Sequence, residues 1–242
     1  LRDTMRRSNA HLGLATDGDG DRFGILDHGA RMAESNQGLA LVLDYLARRR
    51  KLAGAVGRTL ATSLLIDAVA AGHGLEVVEA PGGLKNFGAR LVDGTLSLAA
   101  EESAGMAWSK HLPERDGMLA CLLVAEMMAV EGKSLVELMS DLTARVGTYA
   151  FRRTQIPLSD RTRQLFERRV NQNWSKKKLD GRKVVSVDRR DGLKLVFEGG
   201  SWILIRAAGT EPKIRLYAEG RSKEEQRHLM HTVRKMFTDR RM

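Results

Sequence analysis

Three aspartates near the start of the chain alternate with glycines and precede an arginine: Asp17, Asp19, Asp21 and Arg22. Glycine lets the backbone curl so that the three carboxylates converge. Converging carboxylates repel one another unless a cation offsets their charge, and ligation by oxygen alone is typical of Mg²⁺ or Ca²⁺. We therefore predict a hard-cation site in this loop, with Arg22 beside it to bind an anion. A solvated acidic turn is the alternative.

Two known loop types do not fit this pattern. An EF-hand would need glycine at its sixth position and glutamate at its twelfth, where the chain has Arg22 and His28. A dinucleotide-binding fingerprint fails as well, because Phe23 stands where its third glycine should be.

Three carboxylates would leave Mg²⁺ an open coordination position for a phosphate oxygen, as in phosphoryl-transfer sites. The loop therefore favours chemistry on phosphorylated substrates.

A second group of candidate residues follows two predicted strands. Glu101 and Ser103 can bind vicinal sugar hydroxyls, although such a pair is more often solvated or capping. Gly83 and Lys85 lie in a loop that should open on the same edge of the predicted sheet, because ligands of parallel sheets bind at the carboxyl ends of the strands. Lys85 can reach an anionic substrate there, or can simply be exposed.

A third group lies in the C-terminal part, in and beside a loop between two predicted strands. Its members are Arg206, Gly209, Thr210 and Arg215. Backbone amides near the glycine, the threonine hydroxyl and two arginines can form a nest for an anion, since arginine suits bidentate phosphate contacts. An ordinary hairpin with flanking surface arginines is the alternative.

Alternating strand and helix patterns must position the second group. Strand-like runs lie at 55–60, 75–79 and 95–99, and helical patterns at 64–71 and 84–92 separate them. This alternation predicts a parallel sheet with helical crossovers.

Local signals mark the elements that follow. One helix should begin at Asp116, and another at a capping box of Ser134 and Glu137. Farther on, the pair Asp191 and Gly192 predicts a hairpin turn.

We therefore predict an α/β fold class in three parts. Residues 1–33 are expected to be the tail of an α/β domain, and 34–146 a parallel-sheet α/β domain. Residues 147–242 are expected to form a small α+β domain with a four-stranded antiparallel sheet.

Composition and charge exclude several classes of protein. The chain has 242 residues, of which 43% are hydrophobic, so it can bury a core and is not a disordered chain. Its single cysteine, Cys121, excludes a disulfide framework. No apolar stretch is long enough to cross a bilayer, and the first residues lack the apolar region of a signal peptide. A cytoplasmic location is therefore expected.

The net charge of +10 is distributed unevenly. Residues 1–149 carry a net charge of −3, whereas 150–242 carry +13. Such a field attracts nucleic acid, an acidic membrane surface or phosphorylated metabolites. The basic part has few aromatic residues that could stack on bases, and it has no RRM, KH or helix-turn-helix signature.

Taken together and in this order, the three groups resemble the α-D-phosphohexomutase family of phosphoglucomutases and phosphomannomutases. The resemblance covers essentially the whole chain: 17–22 is similar to the family's metal loop, 101–105 to its sugar-recognition loop and 206–212 to its phosphate-binding loop. It implies a four-domain protein in which 1–33 ends domain two, and domains three and four follow. It also implies a phosphoserine that donates its phosphoryl group to a hexose phosphate through a hexose 1,6-bisphosphate.

The resemblance also implies roles for individual residues. The ligands of Mg²⁺ would be Asp17, Asp19 and Asp21. Arg22 would line the catalytic site. The residues that bind the sugar or meet the substrate would be Gly83, Lys85, Glu101 and Ser103. The residues that hold the phosphate not being transferred would be Arg206, Gly209, Thr210 and Arg215.

The implied ligands are glucose 1-phosphate, glucose 6-phosphate and glucose 1,6-bisphosphate. The Glu-Glu-Ser form of the sugar loop favours glucose, with mannose as a second candidate, and no nucleic-acid or membrane partner is expected.

Some residues depart from the family pattern. The loop Thr-x-Ser-His-Asn-Pro, which carries the nucleophilic serine, does not occur; Ala208 replaces a serine, and Ala100 and Ala104 stand where glycines are frequent. The resemblance therefore implies that the missing N-terminal domains are partners of this chain, and that the chain alone is inactive. The alternatives are a non-catalytic phosphosugar-binding remnant and, less favoured, a nucleic-acid-binding protein.

Overall fold

The computed structural model describes residues 1–175, 177–209 and 211–238 of the chain. The chain divides into two compact units, Leu1–Gly147 and Thr148–Met242. Among the described residues, none of the helices combines the length and the apolar character that a membrane span requires.

The first unit begins with a short helix, α1 (Arg2–Ser8), and an antiparallel pair of strands, β1 (Gly13–Thr16) and β2 (Phe23–Leu26). Thr16 pairs with Phe23, so the aspartate loop is the connection between these two strands. Strand-like runs at 11–15 and 23–26 of the sequence predict a strand on either side of the loop, and the structure confirms both. Helix α2 (Ser35–Arg50) follows, and the side chains of Phe23 and Ile25 lie against its Gly38.

A four-stranded sheet forms the centre of this unit. Its strands are β3 (Ala55–Thr59), β4 (Val77–Ala80), β5 (Leu96–Glu101) and β6 (Gly105–Trp108), in the order β4-β3-β5-β6. β3 is parallel to β4 and β5, as predicted, whereas β6 returns antiparallel to β5. The sequence does not predict β6, which makes the sheet mixed and makes residues 101–105, the predicted sugar-recognition segment, a hairpin turn.

Helices surround this sheet. They are α3 (Leu65–Gly72), a 3₁₀ turn at Leu84–Asn86, α4 (Gly88–Val92), α5 (Gly117–Glu131) and α6 (Leu135–Val146). One apolar cluster of the unit consists of Ala55, Leu84, Phe87, Leu91, Leu96, Ala99 and Ala107. Gly57 is required beneath it, because an added Cβ would lie 2.8 Å from the Phe87 ring.

Two predicted helix starts are confirmed. The Asp116 carboxylate accepts a hydrogen bond from the Leu119 amide at 2.8 Å, at the N-terminus of α5. Ser134 and Glu137 form the predicted capping box of α6. The cap at Asp116 fixes where α5 begins, and the N-terminus of α5 lies against the aspartate loop.

The second unit is a sheet with two helices. Its elements are β7 (Ala150–Pro157), α7 (Asp160–Asn171), β8 (Lys178–Leu179), β9 (Arg182–Asp188), β10 (Leu193–Phe197), β11 (Trp202–Ala207), β12 (Lys213–Gly220) and α8 (Lys223–Thr238). The order β7-β12-β11-β10-β9-β8 is antiparallel throughout. The sheet is antiparallel as predicted, but it has six strands rather than four. The two further strands lie at the edges of the sheet: β8 is only two residues long, and β7 corresponds to a segment, 149–158, that is strand-like in the sequence.

One face of this sheet forms the core of the second unit. Sheet residues such as Ile203, Ile205 and Leu216 pack with Leu229 and Val233 of α8. The hairpin turn that precedes β10 has Gly192 at φ +96°, and an added Cβ there would lie 2.2 Å from the Ile205 carbonyl oxygen. The predicted hairpin is therefore confirmed, and its glycine is required both by conformation and by space.

Candidate functional site

The aspartate loop is held by its own backbone and by helix α5. The Gly20 amide donates to the Asp17 carbonyl oxygen at 3.2 Å, and the Arg22 amide donates to Asp17 Oδ1 at 3.3 Å. The Gly117 amide, in the first turn of α5, donates to the Gly20 carbonyl oxygen at 2.9 Å. An added Cβ at Gly117 would lie 2.4 Å from the Arg22 carbonyl oxygen, so only glycine lets the loop approach this closely.

Two of the three aspartates converge, and arginines balance them. Arg22 Nε lies 3.7 Å from Asp17 Oδ2 and 3.7 Å from Asp21 Oδ1. Arg115 Nη2 lies 2.8 Å from Asp21 Oδ2. Asp21 Oδ1 is buried and accepts no hydrogen bond in the described part of the chain. One carboxylate oxygen of the loop is therefore left without a hydrogen-bond donor.

The two neighbouring carboxyls differ in their affinity for protons. Burial raises the pKa of Asp21 against the opposing charge of Arg115, and the charge of Asp17 raises it further. For Asp17, burial acts upward, but hydrogen bonds from the Arg22 backbone and from Asp21 outweigh it and lower the pKa. Burial and the charge of Asp17 thus oppose ionisation of Asp21, whereas hydrogen bonds favour ionisation of Asp17.

The loop fits a hard cation by its donor chemistry. All its candidate ligands are carboxylate oxygens, and one of them lacks a hydrogen bond. Within residues 1–175, 177–209 and 211–238, however, no three acidic, histidine or cysteine side chains are gathered as a metal-binding group. Asp19 is exposed, while Asp17 and Asp21 lie beside arginines. Magnesium binding thus stays a prediction, supported by the type of ligand and not by their arrangement.

Residues 101–105, the predicted sugar-recognition segment, form the tight turn between β5 and β6, which we call the sugar-recognition turn after that prediction. Glu101 Oε1 accepts a hydrogen bond from the Gly83 amide at 3.2 Å, and Glu101 Oε2 lies 3.5 Å from Arg115 Nη1. Ala104 has φ +70°, a left-handed conformation that a Cβ disfavours. An added Cβ at Gly105 would lie 2.6 Å from Arg115 Cδ, so this glycine leaves room for the arginine side chain.

The aspartate loop and the sugar-recognition turn are joined directly. The Phe23 amide donates to the Ala104 carbonyl oxygen at 3.3 Å, and Arg22 and Gly105 form an isolated β-bridge. The structure therefore brings two predicted segments of the first unit together at Arg115, and the loop with Gly83 joins them through its hydrogen bond to Glu101. Sequence reasoning missed this arginine, whose only signal is its place immediately before the N-cap of α5.

Buried hydrogen bonds connect the sugar-recognition turn to the end of β3 and to the residues that follow it. The Glu102 amide donates to Thr62 Oγ1 at 3.1 Å, and Thr59 Oγ1 donates to Glu102 Oε2 at 3.4 Å. In the turn itself, Ser103 Oγ is buried and has no hydrogen-bond partner among the described residues. A hydroxyl in this situation is available to a ligand. Lys85, by contrast, is an exposed side chain in the 3₁₀ turn.

In the second unit, two of the predicted phosphate-binding residues face each other across neighbouring strands. Arg206 of β11 pairs with Arg215 of β12. Arg206 Nε lies 3.3 Å from Asp191 Oδ2 in the hairpin turn, so this guanidinium already has one acidic neighbour. A Cβ at Gly209 would meet nothing within 4 Å, which leaves its backbone accessible. Thr210 lies outside the described residues, and its proposed contact stays a prediction.

A cavity of about 720 Å³ in the first unit is separate from these residues. It is lined by the end of the β1–β2 ladder opposite to the aspartate loop, by the end of α5 and by the start of α6. His11 and His28 stack there with ring centroids 5.4 Å apart. None of the predicted site residues lines this cavity, so its volume says nothing about the candidate site.

Two family models match the chain. The model for the α/β/α domain III of phosphoglucomutase/phosphomannomutase matches residues 34–146. The model for the C-terminal domain of the same family matches residues 165–236. Together they cover well over half of the chain.

Curated relatives agree with these matches. A phosphoglucomutase/phosphomannomutase of Thermococcus kodakarensis is 30% identical over 93% of this chain and 47% of its own length. A probable phosphoglucosamine mutase of Methanothermobacter thermautotrophicus is 28% identical over 97% of this chain and 49% of its own length. The chain therefore spans about half the length of these relatives.

A solved structure has the same fold along the same stretch. A putative phosphomannomutase from Thermus thermophilus is 29% identical, with a TM-score of 0.74 over 98% of this chain and 50% of that chain. A phosphoglucomutase from Paramecium, 22% identical with a TM-score of 0.71, shares the fold over 95% of this chain and 44% of that chain. With both family models matched in order, the chain belongs to the α-D-phosphohexomutase family of phosphoglucomutases and phosphomannomutases, and it corresponds to their C-terminal portion.

Proposed function

We propose that this chain forms the metal-, sugar- and phosphate-binding part of a hexose-phosphate mutase, which interconverts hexose 1-phosphate and hexose 6-phosphate. The observation that carries the proposal is the convergence of the aspartate loop and the sugar-recognition turn on Arg115, which lies 2.8 Å from Asp21 and 3.5 Å from Glu101. A site for phosphoryl transfer to a sugar needs an anion-stabilising group and a sugar-binding group side by side. In this proposal the first unit supplies both.

Magnesium is the proposed cofactor, and Asp17, Asp19 and Asp21 are its proposed ligands. When bound, the ion would supply positive charge that stabilises the oxygens of a phosphoryl group in transfer. Arg22 is half-exposed, so its guanidinium is available to an anionic substrate beside the loop. Arg115 would keep the carboxylate of Asp21 in place from the other side.

Glu101 and Ser103 are the proposed sugar-binding groups. The Gly83 amide and Arg115 fix the Glu101 carboxylate, so it is oriented before a ligand arrives and can accept hydrogen bonds from sugar hydroxyls. The buried Ser103 hydroxyl, without a partner in the described part of the chain, can donate one hydrogen bond and accept others. Lys85 is proposed as an exposed cation that meets the substrate phosphate.

Arg206 and Arg215 of the second unit, with the backbone at Gly209, are proposed to hold the phosphate that is not being transferred. In a mutase the sugar must present each of its two phosphates in turn, so one phosphate is anchored while the other reacts. The proposed substrates are glucose 1-phosphate and glucose 6-phosphate, with glucose 1,6-bisphosphate as the intermediate. The phosphoryl donor in this proposal, a phosphoserine, is not a residue of this chain.

Calorimetric titration of this chain with glucose 1,6-bisphosphate, with and without MgCl₂, tests the binding part of the proposal. We expect binding that Glu101→Gln weakens by about tenfold or more, because a charged hydrogen-bond acceptor is lost. Glu76→Gln is the matched control: Glu76 is exposed and precedes β4, at the opposite edge of the same sheet. The proposal fails if the chain does not bind the bisphosphate, or if the two variants bind equally well.

A coupled assay for glucose 6-phosphate on the full-length gene product tests catalysis. We expect turnover that requires Mg²⁺ and that Asp19→Asn reduces strongly, because the substitution removes one proposed ligand. Binding without turnover would instead support the non-catalytic phosphosugar-binding alternative. Turnover that is indifferent to both Mg²⁺ and the substitution would refute the metal assignment.

A further inference from the structure

Three arginines lie on one face of the six-stranded sheet of the second unit. Across β11 and β12, Arg206 is opposite Arg215. Across β12 and β7, Tyr217 is opposite Arg153. Because alternate residues of a strand share a face, Arg215 and Tyr217 point the same way, and Arg153 and Arg206 lie on that face with them.

Contacts on both sides of the sheet agree with this assignment. Phe151, two residues before Arg153, contacts the Tyr217 ring at a centroid distance of 6.3 Å. On the opposite face, Thr154 Oγ1 accepts a hydrogen bond from Arg234 of α8 at 2.8 Å. The neighbouring Arg152 pairs with Ala218, which belongs to the core against α8, so it lies on that opposite face.

The positive charges on this face are poorly compensated. Like charges directly opposite each other destabilise a pair of strands, and diagonal neighbours at about 7 to 8 Å still interact. Arg206 has Asp191 beside it, but among the described residues neither Arg153 nor Arg215 donates a hydrogen bond to an acid. In the adjoining loop, the hydrogen bond from Lys213 at 2.5 Å lowers the pKa of Glu211, and the charges of Arg215 and Arg153 lower it further by smaller amounts.

A phosphate group would relieve this repulsion. It carries up to two negative charges and several acceptor oxygens, and the arginine fork can bind two of those oxygens at once. Arg153 and Arg215 are diagonal neighbours across β7 and β12. The usual separation of such positions, about 7 to 8 Å, is within the combined reach of two arginine side chains and one phosphate. Arg153 is exposed and Arg215 is partly exposed, so both are accessible to a ligand.

We propose that Arg153 of strand β7 is a further phosphate-binding residue, acting with Arg215 and Arg206 on the same phosphate of a hexose phosphate. The inference rests on the proposed function, because it extends the same phosphate-binding surface by one strand. Sequence alone cannot find this residue: Arg152 and Arg153 are adjacent, and only the pairing of β7 with β12 decides which of them faces the ligand.

The adjacent arginines provide a matched test. This chain would be titrated with glucose 1,6-bisphosphate by calorimetry at low ionic strength, as wild type and as Arg153→Gln, Arg152→Gln and Arg215→Gln. We expect Arg153→Gln to raise Kd by about tenfold, because a charge-assisted hydrogen bond is lost. Arg152→Gln removes the same charge from the other face and should change Kd by less than about twofold, through the long-range field alone.

A conservative variant separates geometry from charge. Arg153→Lys keeps the positive charge but not the bidentate fork, and it should give an intermediate Kd. The unfolding temperatures of Arg153→Gln and Arg153→Lys should not fall below that of the wild type, because the Arg153 side chain is exposed and donates no hydrogen bond among the described residues.

The outcomes distinguish this inference from the function on which it rests. If Arg153→Gln binds as well as Arg152→Gln while Arg215→Gln binds more weakly, Arg153 is not a ligand contact and the proposed function stands. If the wild type does not bind the bisphosphate, the proposed function and this inference are both refuted.

Discussion

The two units differ in whether the charged side chains of their candidate binding residues have partners of opposite charge. In the first unit the acids are paired with cations of the same unit: Arg115 lies between Asp21 and Glu101. In the second unit Arg206 and Arg215 are directly opposite each other on neighbouring strands. The first region is organised before a ligand arrives, whereas the second holds like charges together until an anion binds.

This difference predicts how the two regions respond to substitution. A residue of the first unit that takes part in internal pairing should contribute to folding as well as to binding, because its loss leaves partners unsatisfied. An arginine of the second unit's cationic face should contribute to binding and cost a little stability. Stability measurements without any ligand can therefore test the comparison.

The largest effect is expected at Asp44 in helix α2, which joins three helices of the first unit. Its buried carboxylate accepts hydrogen bonds from Arg145 of α6 at 2.7 Å and from Arg48 at 3.1 Å, and His73, the residue after α3, lies 2.8 Å away. Asp44→Asn should lower the free energy of unfolding by about 3 kcal/mol, measured by urea denaturation, because it removes the buried negative charge that Arg145, Arg48 and His73 surround.

A control for this substitution is Asp141→Asn. Asp141 forms an exposed ion pair with Lys133 at 2.7 Å, and exposed pairs contribute little, so we expect a change below about 0.5 kcal/mol. Equal effects at both positions would contradict the idea that internal pairing stabilises the first unit.

The same carboxyl predicts a pH dependence. Burial alone would raise the pKa of Asp44, but hydrogen bonds from Arg145 and His73 outweigh it, so the folded pKa is lowered. Its stabilisation is therefore fully present above the unfolded pKa of about 3.9 and is lost as pH falls through the folded value. The stability difference between wild type and Asp44→Asn should narrow below about pH 4, and a difference that widened there would refute this assignment.

The next effect is expected at Gly117, where α5 meets the aspartate loop. Gly117→Ala places a Cβ 2.4 Å from the Arg22 carbonyl oxygen, and backbone has to move to accept it. We expect a loss of about 2 kcal/mol in urea denaturation, typical of overpacking. Gly18→Ala, in the same loop with nothing within 4 Å of an added Cβ, should have little effect. If Gly117→Ala leaves the free energy of unfolding unchanged, the aspartate loop is not held against α5.

A smaller effect of opposite sign is expected at Ala104. Its φ of +70° strains the sugar-recognition turn, so Ala104→Gly should stabilise the chain by up to about 1 kcal/mol, after allowing for the greater entropy of glycine in the unfolded state. Ala100→Gly, in the extended and fully buried strand β5, should instead destabilise it by about 1 kcal/mol. Urea midpoints that shift in the same direction for both variants would contradict this explanation.

Sequence reasoning succeeded where the signal was local. The capping box at Ser134 and Glu137, the cap at Asp116 and the strands flanking the aspartate loop all depend on neighbouring residues, and the structure confirms them. The order of the three motifs was also readable, because each follows a predicted strand and together they resemble one family.

Strand pairing could not be read in the same way. β6 is only four residues long, and its return beside β5 depends on the tight turn at Ala104. Arg115 joins the two loops only because α5 begins against the β1–β2 connection, and Arg153 faces the candidate phosphate site only because of the register of β7 on β12. These are tertiary facts, so residue types and spacing do not contain them.

The smallest expected effect tests the second half of the comparison. Arg215→Gln removes one of two like charges that face each other across β11 and β12, so at low ionic strength it should raise the free energy of unfolding by about 0.3 kcal/mol. The sign of this change distinguishes the two units, because replacing an internally paired arginine such as Arg115 should lower the free energy of unfolding.

Salt separates this explanation from a packing effect. Because the repulsion is between partly exposed groups, about 0.5 M NaCl should screen it and make the stability of Arg215→Gln equal to that of the wild type. Hydrogen exchange of β11 and β12 amides at low and high salt would report the change in the second unit itself. A destabilised variant at both salt concentrations would show that Arg215 is internally paired after all, and the contrast between the two units would then disappear.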